Sequence, residues 1–314
     1  MYFHRFLVAL SVMAAPLVMA NPASAQQTSP TTPENTNAPA TSGSPPANDV
    51  NELAKQLSNP IASLISVPFQ YNYARTYGDD GYQNLLNIQP VLPVSISEDW
   101  NMISRTILPV IQQKDVQPGK NQFGLGDTVQ SLFFSPKKVG ASGLIWGVGP
   151  AALIPTGTDR IGGDTWAFGP TFVVLKQQGP WTYGVLANQL WNTGGPADIS
   201  SLFVQPFLTK GLGKGRTISM NTETTYNWEN KEWLIPFNLA YSKVSKLGDQ
   251  LVSNQFGAKV YLKTPVRKWP GLGVALHVYP DVSQELGDHH RVARGNHAKD
   301  PVLLLSGMLD HYNH

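Results

Sequence analysis

The sequence contains no cysteine and has few charged residues. Without cysteine there is no disulfide bond, no thiol nucleophile and no thiolate metal site, so stability has to come from packing or from closure of a sheet. Charged residues make up 14% of the chain, against about 25% in ordinary soluble domains. A low charge content is typical of a protein with a lipid-facing surface. The formal net charge of +2 gives no reason to expect nucleic-acid binding.

Long apolar runs are missing beyond the first 20 residues, which argues against a membrane-spanning helix in the mature chain. The start has the pattern of an export signal. Arg5 precedes an apolar stretch, and Ala23, Ser24 and Ala25 form a small-x-small cleavage site. The sequence therefore predicts a cleaved signal peptide over residues 1–25 and a mature chain that starts at Gln26.

What the chain does contain is alternation of apolar and polar residues in segments of about ten residues. In residues 65–74, for example, Phe69, Tyr71 and Tyr73 share one parity, and Gln70 and Asn72 share the other. Successive side chains of a strand point to opposite faces, so such a segment has one apolar and one polar side. Repeated in an exported chain, this pattern predicts an all-β fold, a transmembrane antiparallel β-barrel.

We count about twelve candidate strands, an even number as expected for bacterial barrels. They cover residues 64–74, 85–96, 100–111, 128–134, 144–154, 166–175, 181–191, 199–208, 217–228, 233–242, 251–262 and 269–279. Eight prolines in or near these segments argue against regular ladders, because proline cannot donate a backbone hydrogen bond. They are Pro68, Pro90, Pro93, Pro109, Pro150, Pro170, Pro206 and Pro236.

Three further segments lie outside the predicted strands: a linker, a short helix and a C-terminal tail. Residues 26–48 are rich in Pro, Thr and Ser and predict a disordered linker. Val50, Leu53, Ala54 and Leu57 have helical spacing, so the unit 49–280 is predicted to be a short helix followed by the barrel. The helix either packs against or into one end of the barrel or lies on the surface. The His-rich tail, residues 281–314, is predicted to be poorly ordered.

Polar residues on the polar parity of a strand are candidates to line the lumen. Residues 217–227 have an unbroken polar row that includes Asn221 and Glu223. The candidates are Arg105, Asn188, Asn221, Glu223, Asn238 and His277. Arg105 is included because a cation facing mid-bilayer lipid costs roughly 2–4 kcal/mol. Glu223 either contacts solute or is a structural carboxylate neutralised by a neighbour such as Arg105.

Catalysis and cofactor binding have little support. A nucleophile with a base in reach is not evident, and a lone histidine in a predicted strand is more typical of a structural group. The histidines of the tail lack an ordered metal-binding spacing, and the glycines around Asp127 lack the lysine of a phosphate loop. We expect no enzyme activity, no cofactor and no metal.

Five segments resemble a family of bacterial outer-membrane proteins. They are ELAKQLSNPI (52–61), LNIQPV (86–91), SRTILPV (104–110), GDTVQS (126–131) and NTETTYNWE (221–229). The family is known as transporters or as proteins related to the MetA-pathway of phenol degradation, and sometimes under the name neuromedin U. The resemblance extends over residues 52–262. It implies an outer-membrane barrel that transports small, hydrophobic or aromatic compounds, and it brings no established binding residues.

Barrels of this kind usually end in an aromatic residue at the last strand, which the assembly machinery recognises. Residues 269–279 are the strand that fits this role, and the tail after residue 280 departs from the pattern.

Together, these observations predict an outer-membrane channel or transporter. Small solutes would pass through a polar-lined lumen, or hydrophobic ones through a lateral opening. The expected partners are outer-membrane lipid, the barrel-assembly machinery and a small solute. Two alternatives stay open: a plugged structural or binding barrel without conductance, and a soluble periplasmic lipid-binding β-protein.

Overall fold

The computed structural model describes residues 47–75, 81–116, 120–247, 250–265 and 273–280. The predicted signal peptide, most of the predicted linker and the tail lie outside these ranges. The described residues form one helix and fifteen strands. Their bounds are α1 Ala47–Leu57, β1 Phe69–Arg75, β2 Tyr82–Ile88, β3 Val91–Ser95, β4 Trp100–Lys114, β5 Asn121–Leu125, β6 Thr128–Pro136, β7 Leu144–Ile154, β8 Trp166–Gln178, β9 Trp181–Gly194, β10 Ser200–Gly213, β11 Arg216–Thr222, β12 Thr224–Asn227, β13 Glu232–Leu247, β14 Gln250–Lys263 and β15 Gly273–Pro280.

All strands belong to one antiparallel sheet that closes on itself. β15 pairs with β1, and β9 pairs with β10, so every strand of the ring has two neighbours. Three strands of the ring are interrupted. β2 and β3 both pair with β4 on one side, β5 and β6 both pair with β4 on its other side, and β11 and β12 both pair with β10. If each interrupted strand is counted once, the described part of the chain forms a ring of twelve strands. The predicted all-β barrel is thereby confirmed.

Most of the prolines lie where the ladders are already broken. Pro90 separates β2 from β3, and Pro206 lies opposite the break between β11 and β12. Pro236 lies at a bulge of β13. Pro109 accepts a hydrogen bond from the Gly126 backbone N–H, at the break between β5 and β6. A closed barrel can therefore contain these prolines, because their missing donors fall at irregular positions.

The outer wall is apolar and has aromatic residues towards both ends. Towards the end where β1 begins lie Trp100, Trp146 and Trp181, and the first two form an edge-to-face pair with ring centroids 5.8 Å apart. Towards the other end, Tyr226 packs between Trp228 and Trp233, at 4.8 and 4.5 Å. Between the two groups, exposed side chains such as Phe172 and Leu239 cover the wall. Two aromatic belts around an apolar band are typical of transmembrane barrels.

The two ends of the barrel have connections of different length. At the end where β1 begins, β8 turns into β9 through Gly179 and Pro180, and β10 turns into β11 through Lys214 and Gly215. Lys214 and Gly215 have φ angles of 54° and 68°, as a tight hairpin turn requires. At the opposite end, the connection from β7 to β8 runs over residues 155–165. The hairpins are thus shorter at the end that we call the α1 end, since α1 packs there.

The start of the barrel differs from the sequence prediction. β1 begins at Phe69 rather than at residue 64, but its backbone pairing reaches back to Ser66, which forms an antiparallel bridge with Val91. Residues 58–65 connect α1 to this part of the wall. We call residues 47–65 the N-terminal segment. Within the described ranges, no helix is long and apolar enough to cross a membrane.

Candidate functional site

The register of the strands shows which residues point inward. Exposed outer residues such as Trp146 and Phe172 pair only with residues of the same outer parity, so the other parity forms the inner wall. Five sequence candidates hold inner-wall positions. Arg105 is paired with Ser131, Asn188 with Thr171, and Asn221 with Asn238, and Glu223 lies between β11 and β12 on the parity of Asn221.

Two inner-wall groups bring these candidates together with other polar residues. In the first group, the Glu223 carboxylate accepts a hydrogen bond from Lys259 Nζ at 2.8 Å. Beside it, Asn238 Nδ2 donates to Asn221 Oδ1, also at 2.8 Å. Lys259 is thus the ion-pair partner of Glu223, a place for which the sequence suggested Arg105. The carboxylate is therefore part of an ion pair on the wall, which satisfies a group buried for three quarters of its side-chain surface.

The second group is a line of hydrogen bonds that starts at Arg105, and we call it the amide relay. Arg105 Nη2 donates to Gln89 Oε1 at 3.1 Å, and Gln89 Nε2 donates to Gln70 Oε1 at 2.6 Å. Gln70 Nε2 then donates to Asn72 Oδ1 at 3.5 Å, the longest link. Gln70, Asn72 and Gln89 are buried. Gln70 and Asn72 stood on the polar parity of the first predicted strand, which was the signal that placed them inside.

The remaining two candidates are Asn188 and His277. Asn188 is paired with Phe203 of β10 as well as with Thr171. His277 belongs to β15, and its backbone is paired with Gln70 and Gln255. The His277 side chain lies outside the described part of the structure, so its predicted role as a lumen-lining group stays a prediction.

An apolar cluster fills the lumen towards the α1 end. Its centre is Phe133, which is fully buried, surrounded by inner-wall residues of β4, β8 and β9 and by Ile61 of the N-terminal segment. A side chain at Gly147 would come within 3.3 Å of Ile61 Cδ1, so the glycine leaves room for Ile61 against the wall. The cluster consists of Ile61, Ile103, Phe133, Val173, Leu175 and Leu186. Buried apolar side chains inside a barrel mean that water is excluded there.

Helix α1 covers the same end. The predicted apolar face of the helix is buried, since Leu53 and Ala54 pack with Leu64 and with Val244 of the wall. Among the described residues, four hydrogen bonds connect the N-terminal segment to the barrel. They are Ser58 Oγ to Thr182 Oγ1 (2.9 Å), Gln177 Nε2 to Lys55 O (2.9 Å), Asn101 Nδ2 to Ser63 Oγ (2.8 Å) and Gly215 N to Asn51 Oδ1 (2.8 Å). Of the two predicted positions for the helix, packing at one end of the barrel is the observed one.

The helix does not fill the whole opening. A cavity of about 550 Å³ lies beside it, bounded by Lys55 and Ser58 on the helix side and by Thr182, Thr209 and Arg216 on the wall side. The cavity lies between α1 and the wall, so a small displacement of α1 would widen it. Only four hydrogen bonds between described residues and a modest apolar contact oppose such a displacement.

The barrel wall has one irregular region halfway along β7 and β8. Pro150 and Pro170 face each other in neighbouring strands, and the adjoining ladders skip the residues opposite them, Leu132 and Gln189. An outer depression of about 550 Å³ lies there, lined by Phe168 and Trp191 among others. Ladder pairs are thus missing where the outer surface of the wall is concave and apolar.

No metal site emerges from the described residues, which contain no group of three His, Asp or Glu side chains able to hold an ion. The inner wall has polar and charged hydrogen-bonding groups, and the apolar cluster around Phe133 lies towards the α1 end.

The sequence matches no protein-family model and no curated protein. Among solved structures, it is similar to an outer-membrane channel from Pseudomonas putida F1, with a TM-score of 0.54 and 12% identity over 69% of this chain and 95% of that chain. The chain has an outer-membrane β-barrel fold. The β domain of the Bordetella autotransporter BrkA is similar at a TM-score of 0.38, with 10% identity over 69% of this chain and 99% of that one. The outer-membrane protein OmpT of Vibrio cholerae gives 0.34, with 7% identity over 69% and 98%.

Proposed function

We propose that this barrel resides in the outer membrane and passes small solutes, and that its own N-terminal segment closes the lumen. The observation that carries the proposal is the burial of Ile61 against Phe133 inside the barrel, under α1. A wall with polar groups suits the passage of solutes, while an apolar contact with few hydrogen bonds suits a closure that can move. Passage would be passive, along the inner wall that contains Glu223, Lys259, Arg105 and Asn188.

The outer surface supports the membrane location. Trp166, Phe168, Trp191 and Phe256 are half exposed, and a soluble protein rarely shows apolar patches of this extent to water. The shorter hairpins at the α1 end fit the periplasmic side, since transmembrane barrels have short periplasmic turns and longer outer loops. We therefore propose lipid as the partner of the outer wall and the periplasm as the side of α1. Recognition by the assembly machinery stays a prediction.

A route for hydrophobic solutes through the wall is the second candidate. It is favoured by the facing prolines Pro150 and Pro170 and by the apolar depression outside them. A solute that enters the lumen from outside could leave sideways there without passing the apolar cluster.

Planar-bilayer conductance of the purified protein tests the proposal. We expect brief openings separated by long closed intervals, because the N-terminal segment has to move for ions to pass. Heat-modifiable migration on gels and recovery in the outer-membrane fraction should accompany them. Silent bilayers together with entry of an apolar dye into vesicles would favour the wall route.

Two other results would contradict the proposal. Silence in both assays would favour the plugged structural barrel, for which the fully buried Phe133 is the supporting observation. Recovery of the mature chain in the soluble periplasmic fraction would remove the membrane location altogether.

A further inference from the structure

The amide relay on the inner wall begins at a cation and ends at a donor for which the described residues supply no acceptor. Arg105 is at one end, and the side chains of Gln89, Gln70 and Asn72 follow in that order. The three amide residues are 7–8% exposed, so little of the relay touches bulk water. At its far end, Asn72 Nδ2 is buried and has no hydrogen-bond partner within the described part of the chain.

The direction of the relay follows from the chemistry of Arg105. A guanidinium group can only donate, so Gln89 has to present its amide oxygen to Arg105. The Gln89 nitrogen is then left to donate to Gln70, and the Gln70 nitrogen to donate to Asn72. Each amide therefore has its oxygen towards Arg105 and its nitrogen away from it, and the aligned dipoles reinforce one another in a site of low dielectric constant.

The Asn72 amide thereby becomes the positive end of the line. A buried donor without a partner is costly, and the group that satisfies it is an acceptor oxygen. A negatively charged acceptor is favoured over a neutral one, since the relay dipoles point their positive ends towards it and the Arg105 charge stands behind them. Asn72 holds an inner-wall position, paired with Leu85 of β2, so such a group would reach it from the lumen.

We propose that Asn72 is a binding position for the carboxylate group of a small solute in the lumen, with the amide relay fixing its orientation. The carboxylate oxygen accepts the hydrogen bond from Asn72 Nδ2, and Arg105, Gln89 and Gln70 make this donor stronger. The inference deepens the proposed function by naming a chemical class of solute. It rests on that function only for how the solute reaches the lumen.

Nuclear magnetic resonance of the full-length barrel in detergent micelles, labelled with ¹⁵N-asparagine, tests the site with formate as the probe. The Asn72 side-chain signal is identified by its loss in Asn72→Leu. We expect formate to shift this signal along a saturable curve and chloride at equal ionic strength to shift it less. Asn188, on the inner wall but outside the relay, is the internal control and should not respond. In Arg105→Met the apparent affinity for formate should fall about tenfold.

An Asn72 signal that ignores formate, or that moves linearly together with Asn188, would overturn the proposal. The first result means that the donor is satisfied by water alone, and the second that the lumen responds only to salt. If Arg105→Met does not fold, Gln89→Leu breaks the same line at its next link. Saturable formate binding in a protein that is silent in bilayers would contradict the transport role and support the binding site. Conductance without formate binding would support the transport role and contradict the binding site.

Discussion

At the scale of single residues, the ion pair between Lys259 and Glu223 neutralises two charges on the inner wall. The two side chains are 11% and 25% exposed, and their charged atoms are 2.8 Å apart. Charges in such surroundings are stable only when they are paired, because the loss of hydration is otherwise not compensated. The pair leaves a polar but nearly neutral patch beside Asn221 and Asn238.

Substitution of Glu223 tests this interpretation. Glu223→Gln leaves Lys259 charged and without its anionic partner, so we expect a loss of about 2 kcal/mol in the free energy of unfolding. Guanidinium unfolding in detergent micelles measures it. Lys259→Met is the reciprocal variant, and the double variant should lose less than the sum of the single losses. Strict additivity would mean that the two groups do not stabilise each other.

The position of Glu223 could be predicted from the sequence, and its partner could not. Thr217, Ser219, Asn221 and Glu223 share one parity of a strand, and that parity alone places them on the same face. Lys259 is 36 residues further along the chain. Which residue of β14 lies near Glu223 depends on the register between β13 and β14, and alternation does not specify it.

At the scale of elements, the docking of α1 depends on the turn between β10 and β11. Gly215 has a φ angle of 68°, and an added Cβ there would lie 3.1 Å from Cβ of both Val50 and Val244. Gly213 also has a positive φ, 79°, but a Cβ would meet nothing within 4 Å. The two glycines thus share the backbone requirement, and only Gly215 touches the helix.

This difference allows a matched test of helix docking. Gly215→Ala and Gly213→Ala both introduce a strain of about 1–2 kcal/mol at a left-handed position. Only Gly215→Ala also pushes Val50 away, so we expect trypsin to cleave after Lys55 several-fold faster in this variant. Cleavage at equal rates in the two variants would show that Gly215 does not hold the helix.

The N-terminal segment shows where sequence patterns were insufficient at this scale. The helix was predictable from the spacing of Val50, Leu53 and Leu57. Residues 64–68 continued the alternation of β1 and were therefore predicted to belong to the first strand. In the structure the backbone of Ser66 still pairs with Val91 of the wall, whereas Leu64 packs against Leu53 of the helix. Alternation alone does not show at which residue the pairing of a strand begins.

At the scale of the whole molecule, closure of the ring and the apolar outer band were predictable, because they depend on strand number and parity alone. The closure of the lumen was not. It arises where Ile61 meets Phe133 and Leu175, residues of three distant segments whose apolar character could equally have faced lipid. The sequence favoured an open polar lumen, and the structure adds an apolar closure at one end.

A disulfide between the segment and the wall tests this account most directly, and the absence of native cysteine makes it possible. Ser58 Oγ and Thr182 Oγ1 are 2.9 Å apart, so the pair Ser58→Cys and Thr182→Cys should cross-link. The pair Thr217→Cys and Ser242→Cys, which joins two strands of the wall, is the control. Conductance in planar bilayers is recorded before and after reduction. We predict that openings are abolished in the oxidised first pair, return on reduction and are unchanged in the control, whereas equal conductance of the oxidised and reduced first pair would contradict closure by the N-terminal segment.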